Sequence, residues 1–105
     1  MKNLSMLELK PYFENLGNNE LVLDVRTAEE FADGHVPNAR HIPFELVVNH
    51  AEELKKFDQV FIYCRSGRRS QSACVTLETL GLKNLSCIDD GGMPDWIDAG
   101  YAHES

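Results

Sequence analysis

Paired cysteines, clustered histidines and long apolar runs are scarce or missing in this chain of 105 residues. Its three cysteines stand at positions 64, 74 and 87. An odd count at wide spacing is not a disulfide framework, and no C-x-x-C pair marks a zinc site or a dithiol redox centre. The four histidines lie apart, at 35, 41, 50 and 103, with no ligand spacing, so neither a metal nor a cofactor is expected. No apolar stretch approaches the length of a membrane span. Glu8, Lys10 and Pro11 fall where a secretory leader needs unbroken apolar sequence. The expectation is a reducing, cytoplasmic setting in which a thiol stays available for chemistry. Basic residues are also few, 10 against 17 acidic, for a net charge of −7. That balance excludes general binding to nucleic acid or to an anionic membrane. There is no repeat, low-complexity tract or linker, and the length suits a single domain over residues 1–105.

What is present is an alternation of short apolar runs with helical spacings. Ser5 and Glu8 have capping-box spacing, which predicts a helix starting near Ser5 and ending at the Gly17-Asn18-Asn19 turn. Pro11 fits best in the first turn of such a helix. Leu21–Val25 and Val60–Tyr63 are near-continuous apolar runs of strand length, the pattern of strands covered on both faces. Thr27 and Glu30 again have capping-box spacing, so a helix is expected over 28–33, ended by Gly34. Residues 40–42 form a short strand candidate stopped by Pro43, and Phe44, Val47 and Val48 share one helical face. Ser70–Leu80 reads as a helix with Ala73, Cys74, Leu77 and Leu80 on one face and Gly81 as its C′ residue. Leu85–Ile88 is a last strand, 89–92 a turn and 93–97 a final helical turn. The alternation predicts an α/β domain with a mainly parallel sheet, in which sites form beyond the carboxyl ends of strands.

Cys64 lies at such an end. It is followed by Arg65-Ser66-Gly67-Arg68-Arg69-Ser70, a local positive island in an acidic chain. A cysteine reacts as its thiolate. A helix N-terminus, a glycine that lets successive amides converge, and flanking arginines all favour that anion. Together they make a cradle able to hold a thiolate, a persulfide or an oxyanion. The loop carries no histidine or carboxylate, which suits displacement at a sulfane sulfur, a reaction that needs no general base. Arginines would bind the anionic donor or leaving group, and transfer would proceed in two covalent steps.

Three segments then resemble the rhodanese-like sulfurtransferases in single-domain form. They are Leu23-Asp24-Val25-Arg26 with Glu30-Phe31 and Gly34–Ala39; Cys64–Arg69; and Gly91-Gly92-Met93-Pro94-Asp95-Trp96. They cover residues 20–101 in the family's order. The resemblance implies a central, mostly parallel five-stranded sheet flanked by helices on both faces. It also implies Cys64 as the sulfur-carrying nucleophile, residues 65–69 as the cradle, and Asp24 and Arg26, with Ser70, as supports. The implied donor is small and anionic, with thiosulfate the usual laboratory choice, and the acceptor is cyanide or a thiol, including a protein thiol.

Other readings stay open at this level. Related phosphatases and arsenate reductases carry an arginine six positions after the cysteine, where this chain has Ser70; the shorter cradle suits one sulfur better than a tetrahedral oxyanion. A non-catalytic module that senses sulfur or binds a partner is the rival of another class. Cys74 is expected in the core, a resolving role being the less favoured reading; Cys87 is expected in the core as well. Trp96 lines the pocket mouth or packs in the core. His35 reads as a turn-packing residue, Gly91-Gly92 as a tight turn, and Asp24 as a buried acceptor with Arg26 as its candidate partner.

Overall fold

A computed structural model describes all of residues 1–105. Five strands, β1 (Lys2–Ser5), β2 (Glu20–Asp24), β3 (Arg40–His41), β4 (Gln59–Tyr63) and β5 (Leu85–Asp90), form one sheet in the order β1-β5-β4-β2-β3, and every pairing is parallel. Parallel neighbours need crossovers, which here are helices: α1 (Leu9–Glu14), α2 (Ala28–Asp33), α3 (Ala51–Leu54), α4 (Arg68–Thr79) and α5 (Met93–Asp98). A 3₁₀ segment, Phe44–His50, leads into α3.

Two cores flank the sheet, as strand alternation requires. Leu23, Val60, Ile62, Cys64, Leu85 and Cys87 point to one face, where Ala73, Cys74 and Leu77 of α4 and Leu54 of α3 cover them. Val22, Phe61, Tyr63 and Ile88 point to the other, covered by Leu9 of α1 and by Met93 and Trp96 of α5. Burial on both faces is why β2 and β4 read as continuous apolar runs.

Several boundaries differ from the sequence expectation. The first residues form β1, and the first helix begins at Leu9, not Ser5. The reciprocal Ser5–Glu8 hydrogen bonds do form, at 2.7 and 3.2 Å, but they close the turn between strand and helix. A stretch with only Leu4 buried carries no apolar alternation, so this edge strand left no signal. Helix α4 starts at Arg68, two residues before the expected Ser70, which moves Arg68 and Arg69 from the loop onto the helix's first turn. Its end is as expected: the amides of Gly81 and Leu82 donate back to Glu78 and Leu77 in a Schellman closure. Leu80 corrects the predicted apolar face, being 40% exposed at the C-cap.

Candidate active site

Strand β4 delivers Cys64 to the carboxyl end of the sheet, and the chain then turns directly into α4. The turn depends on Gly67, the N-cap residue, at φ 97°. A side chain there would be strained by the backbone and would also put Cβ 2.5 Å from the Asp89 carbonyl oxygen. With this geometry the Gly67 amide donates to Cys64 Sγ at 3.1 Å and the Ser70 amide at 3.3 Å, with Ser70 Oγ also 3.3 Å away. Burial pushes the Cys64 thiol up. The Ser70 hydroxyl and the amides of Ser70, Ser66 and Gly67 outweigh that and hold it below its ordinary value. The first turn of a twelve-residue helix adds its dipole in the same direction. Ser70 is itself buried, and its hydroxyl reaches the carbonyl oxygens of Gly67 and Ile88, tying the cradle to β5.

The three arginines divide. Arg69 is held by Glu30 of α2 in a two-pronged ion pair, at 2.6 and 2.8 Å. That pairing draws the Glu30 carboxyl down to about 2, chiefly through the Arg69 hydrogen bond, against some burial and with help from Thr27. Arg65 and Arg68 are exposed and carry no ion pair. A cavity of about 160 Å³ adjoins the loop, with Arg26, Glu30, Asp33 and Arg65 among its lining residues. Met93, Pro94 and Ile97 form its apolar part. A larger depression, about 460 Å³, is lined by Pro11, Tyr12, Asn15 and Glu20. Glu20 is the first residue of β2, so that depression lies at the amino end of the sheet, away from the cysteine.

Comparison with known proteins gives the family of the domain. The family model described as a rhodanese-like domain matches residues 9–99. The chain belongs to the rhodanese-like domain family. A protein of Allochromatium vinosum named "Sulfurtransferase" is 38% identical over 76 residues, covering 72% of this chain and 70% of that one. "Putative sulfurtransferase YtwF" of Bacillus subtilis is 37% identical over 97 residues, covering 91% and 90%. "Putative sulfur carrier protein YrkF" of the same organism is 41% identical over 75 residues, and this chain spans 40% of its length. Among solved structures, a rhodanese-like domain protein of Staphylococcus aureus superposes with a TM-score of 0.77 at 32% identity, over 91% of each chain. Relatives of this kind support a sulfurtransferase or sulfur-carrier role for the domain.

Of the expected supports in this rhodanese-like domain, Ser70 contacts the cysteine directly, whereas Asp24 and Arg26 bond to each other and to α2, with Arg26 sharing the cavity wall with Arg65. Asp24 and Arg26 are both buried; the guanidinium reaches Asp24 at 2.7–3.1 Å and also donates to the Gly34 carbonyl at 2.7 Å. The Arg26 amide donates to Asp24 as well, at 2.9 Å. The pair therefore clamps the end of β2 to the end of α2. Tyr63 packs in the same place. Its hydroxyl accepts from the Val36 amide at 3.1 Å, and burial together with the Asp24 carboxylate keeps its proton on. Trp96 is core, not pocket mouth: it is fully buried, and Nε1 donates to the Ala102 carbonyl. His35 packs flat on Phe31, with ring centroids 3.6 Å apart, as a turn-packing residue would. Cys74 and Cys87 lie in the core as expected, and the Cys74 thiol is pushed up by its contact with Cys87 and by burial, the opposite of the Cys64 thiol.

Sequence reasoning missed two contributors. One is Glu30 as the partner of Arg69; its capping box with Thr27 was visible, but its second role spans 39 positions. The other is Gly92. Its φ is extended, so its need is space: a Cβ would stand 2.2 Å from the carbonyl oxygens of both Cys64 and Arg65. The neighbouring Met93 amide donates to the Cys64 carbonyl at 3.0 Å. The third signature segment is thus the floor under the cradle as well as a turn.

Proposed function

We propose that the protein moves a sulfane sulfur from thiosulfate, or another small anionic donor, through a persulfide on Cys64 to a thiophilic acceptor. The observation that carries this is the pair of amide donors, from Gly67 and Ser70, gathered on one sulfur atom at a helix start, with the Ser70 hydroxyl beside it at 3.3 Å. In the first step the Cys64 thiolate attacks the outer sulfur of thiosulfate. A new S–S bond forms, the donor's S–S bond breaks, and sulfite leaves with the electron pair. Arg65 and Arg68, free of ion pairs, draw in the donor and steady the leaving anion. Arg69, occupied by Glu30, braces α4 against α2. In the second step the acceptor, cyanide or a thiolate, attacks the outer sulfur of the persulfide. The electron pair of the broken bond returns to Cys64 Sγ, where the same amides receive it, so the cycle involves no net redox change.

The size of the cradle supports sulfur as cargo over a tetrahedral oxyanion. The amide of residue 70 already reaches Sγ, and the side chain there is a buried serine turned toward β5 instead of an arginine. The test is mass spectrometry after thiosulfate treatment. The wild-type protein gains one sulfur atom and Cys64→Ser gains none; absence of the gain in the wild type overturns the reading. A stable persulfide that no acceptor discharges favours a sulfur-sensing module instead. Aryl phosphate hydrolysis dependent on Cys64 favours a phosphatase. The expected partners are the small donor and a thiol acceptor, including a protein thiol, with no nucleic acid or membrane.

A further inference from the structure

The charges lining the cavity beside Arg65 are not equivalent. Arg26 is consumed by Asp24 and Glu30 by Arg69. Two charges remain without a hydrogen-bond or ion-pair partner: the Arg65 guanidinium, from the loop after β4, and the Asp33 carboxylate, from the last residue of α2. The cavity thus presents one free positive and one free negative group, with Met93, Pro94 and Ile97 as the apolar part. Its volume is about 160 Å³. It admits a molecule of amino-acid size, well below the pockets that take drug-sized ligands.

Resting on the sulfur-transfer reading above, we infer that the preferred acceptor is a small zwitterionic thiol, an α-amino-acid thiol such as cysteine. Its carboxylate meets Arg65, its ammonium meets Asp33, and its methylene lies on the apolar wall. A simple anionic thiol satisfies Arg65 and leaves Asp33 facing a like charge. A simple cationic thiol does the reverse. The cysteine of a larger peptide thiol has both charges tied up in amide bonds and loses both contacts. Cys64 is not itself a wall of the cavity; Arg65, the next residue, is, and the Met93 amide bonds the Cys64 carbonyl, so the cavity borders the loop that carries the sulfur and the acceptor's thiol must extend from it toward Sγ. The transfer is balanced. The acceptor thiol gives its proton to solvent, its thiolate bonds to the outer persulfide sulfur, and the Cys64 Sγ–S bond breaks with its electron pair staying on Sγ.

The experiment loads Cys64 with sulfur from thiosulfate, removes excess donor, and follows discharge by cysteine, 3-mercaptopropionate, cysteamine, 2-mercaptoethanol and glutathione, each rate corrected to its thiolate concentration. Cysteine is expected to exceed every other thiol by tenfold or more. Asp33→Asn brings the ratio of cysteine to 3-mercaptopropionate toward unity, while Arg65→Gln brings the ratio of cysteine to cysteamine toward unity. Equal corrected rates for the five thiols overturn the inference and leave the transfer activity standing, as does an Asp33→Asn variant in which the ratios do not move. A second measurement is independent of sulfur loading: binding of S-methylcysteine to the Cys64→Ser protein, read from amide NMR shifts. Saturable shifts at Asp33 and Arg65 that propionate does not produce support the site. Their absence overturns it even if no persulfide ever forms.

Discussion

Gly92→Ala is the most searching test of how the cradle is held, because it touches no reacting group. Gly92 has an extended backbone, so alanine meets no conformational penalty there and the whole effect is steric. The new Cβ would stand 2.2 Å from the carbonyl oxygens of Cys64 and Arg65. Carbon–oxygen contacts settle no closer than about 3.3 Å, so loop and floor must part by about 1 Å. The obstructing atoms are backbone, and a flexible side chain cannot swing aside for them. The Gly67 and Ser70 amides now sit 3.1 and 3.3 Å from Sγ. Moving the Cys64–Arg65 backbone by that distance breaks at least one of these bonds. Overpacking of this kind costs about 1–3 kcal/mol, and misplacing a reacting group by about 1 Å costs on the order of a hundredfold in rate. Two measurements follow from this. The pH dependence of Cys64 alkylation moves upward, since fewer donors stabilise the thiolate, and the rate of sulfur loading from thiosulfate falls by about a hundredfold. Thermal unfolding, monitored in parallel, separates loss of fold from loss of the cradle. A folded Gly92→Ala protein with an unchanged alkylation midpoint and unchanged loading would refute the argument that this segment supports the loop.

Other expectations concern the ion pairs and the remaining thiols. Arg26→Met leaves Asp24 charged and buried without its partner, and urea unfolding is expected to show a loss of about 3–5 kcal/mol; a loss under ~1 kcal/mol would mean the pair behaves as if exposed. The Glu30 carboxyl, lowered to about 2, stabilises the fold above the ordinary glutamate range, and that contribution is lost as pH falls toward 2. NMR titration of its side-chain carbon should place the midpoint near that value, and a midpoint of about 4.3 would show that Arg69 does not hold it. Arg69→Ala should return the midpoint to the ordinary range and loosen α2 from α4, seen as faster amide exchange in α2. Brief alkylation of the native protein near neutral pH should modify Cys64 first: all three cysteines are buried, but the Cys64 thiol is held below its ordinary value by the cradle and the Cys74 thiol is raised; mass mapping that finds Cys74 modified first would contradict this.

The strands and the geometry of the cysteine loop were legible in the sequence for the same reason: both are local. Leu21–Val25 and Val60–Tyr63 show their burial on two faces as continuous apolar runs. Cys64, Gly67 and the following helix define an anion cradle within seven consecutive residues, whose amides the chain itself brings together. Asp24 and Arg26 are two positions apart, so their pairing could be anticipated. What the sequence did not disclose depends on distance along the chain or on packing. Lys2–Ser5 becomes a strand only because β5 offers it a parallel edge; its own residues have no strand pattern. Arg69 cannot be told from Arg65 by composition, yet α2 places Glu30 against one and leaves the other beside the cavity. Gly92 reads as a turn residue until the Cys64 and Arg65 carbonyls are seen where its side chain would be. The sequence by itself singled out Cys64 as the candidate nucleophile and set what surrounds it locally. The tertiary structure decided which charges remain free to meet a substrate, because pairing between distant elements cancels some of them and spares others.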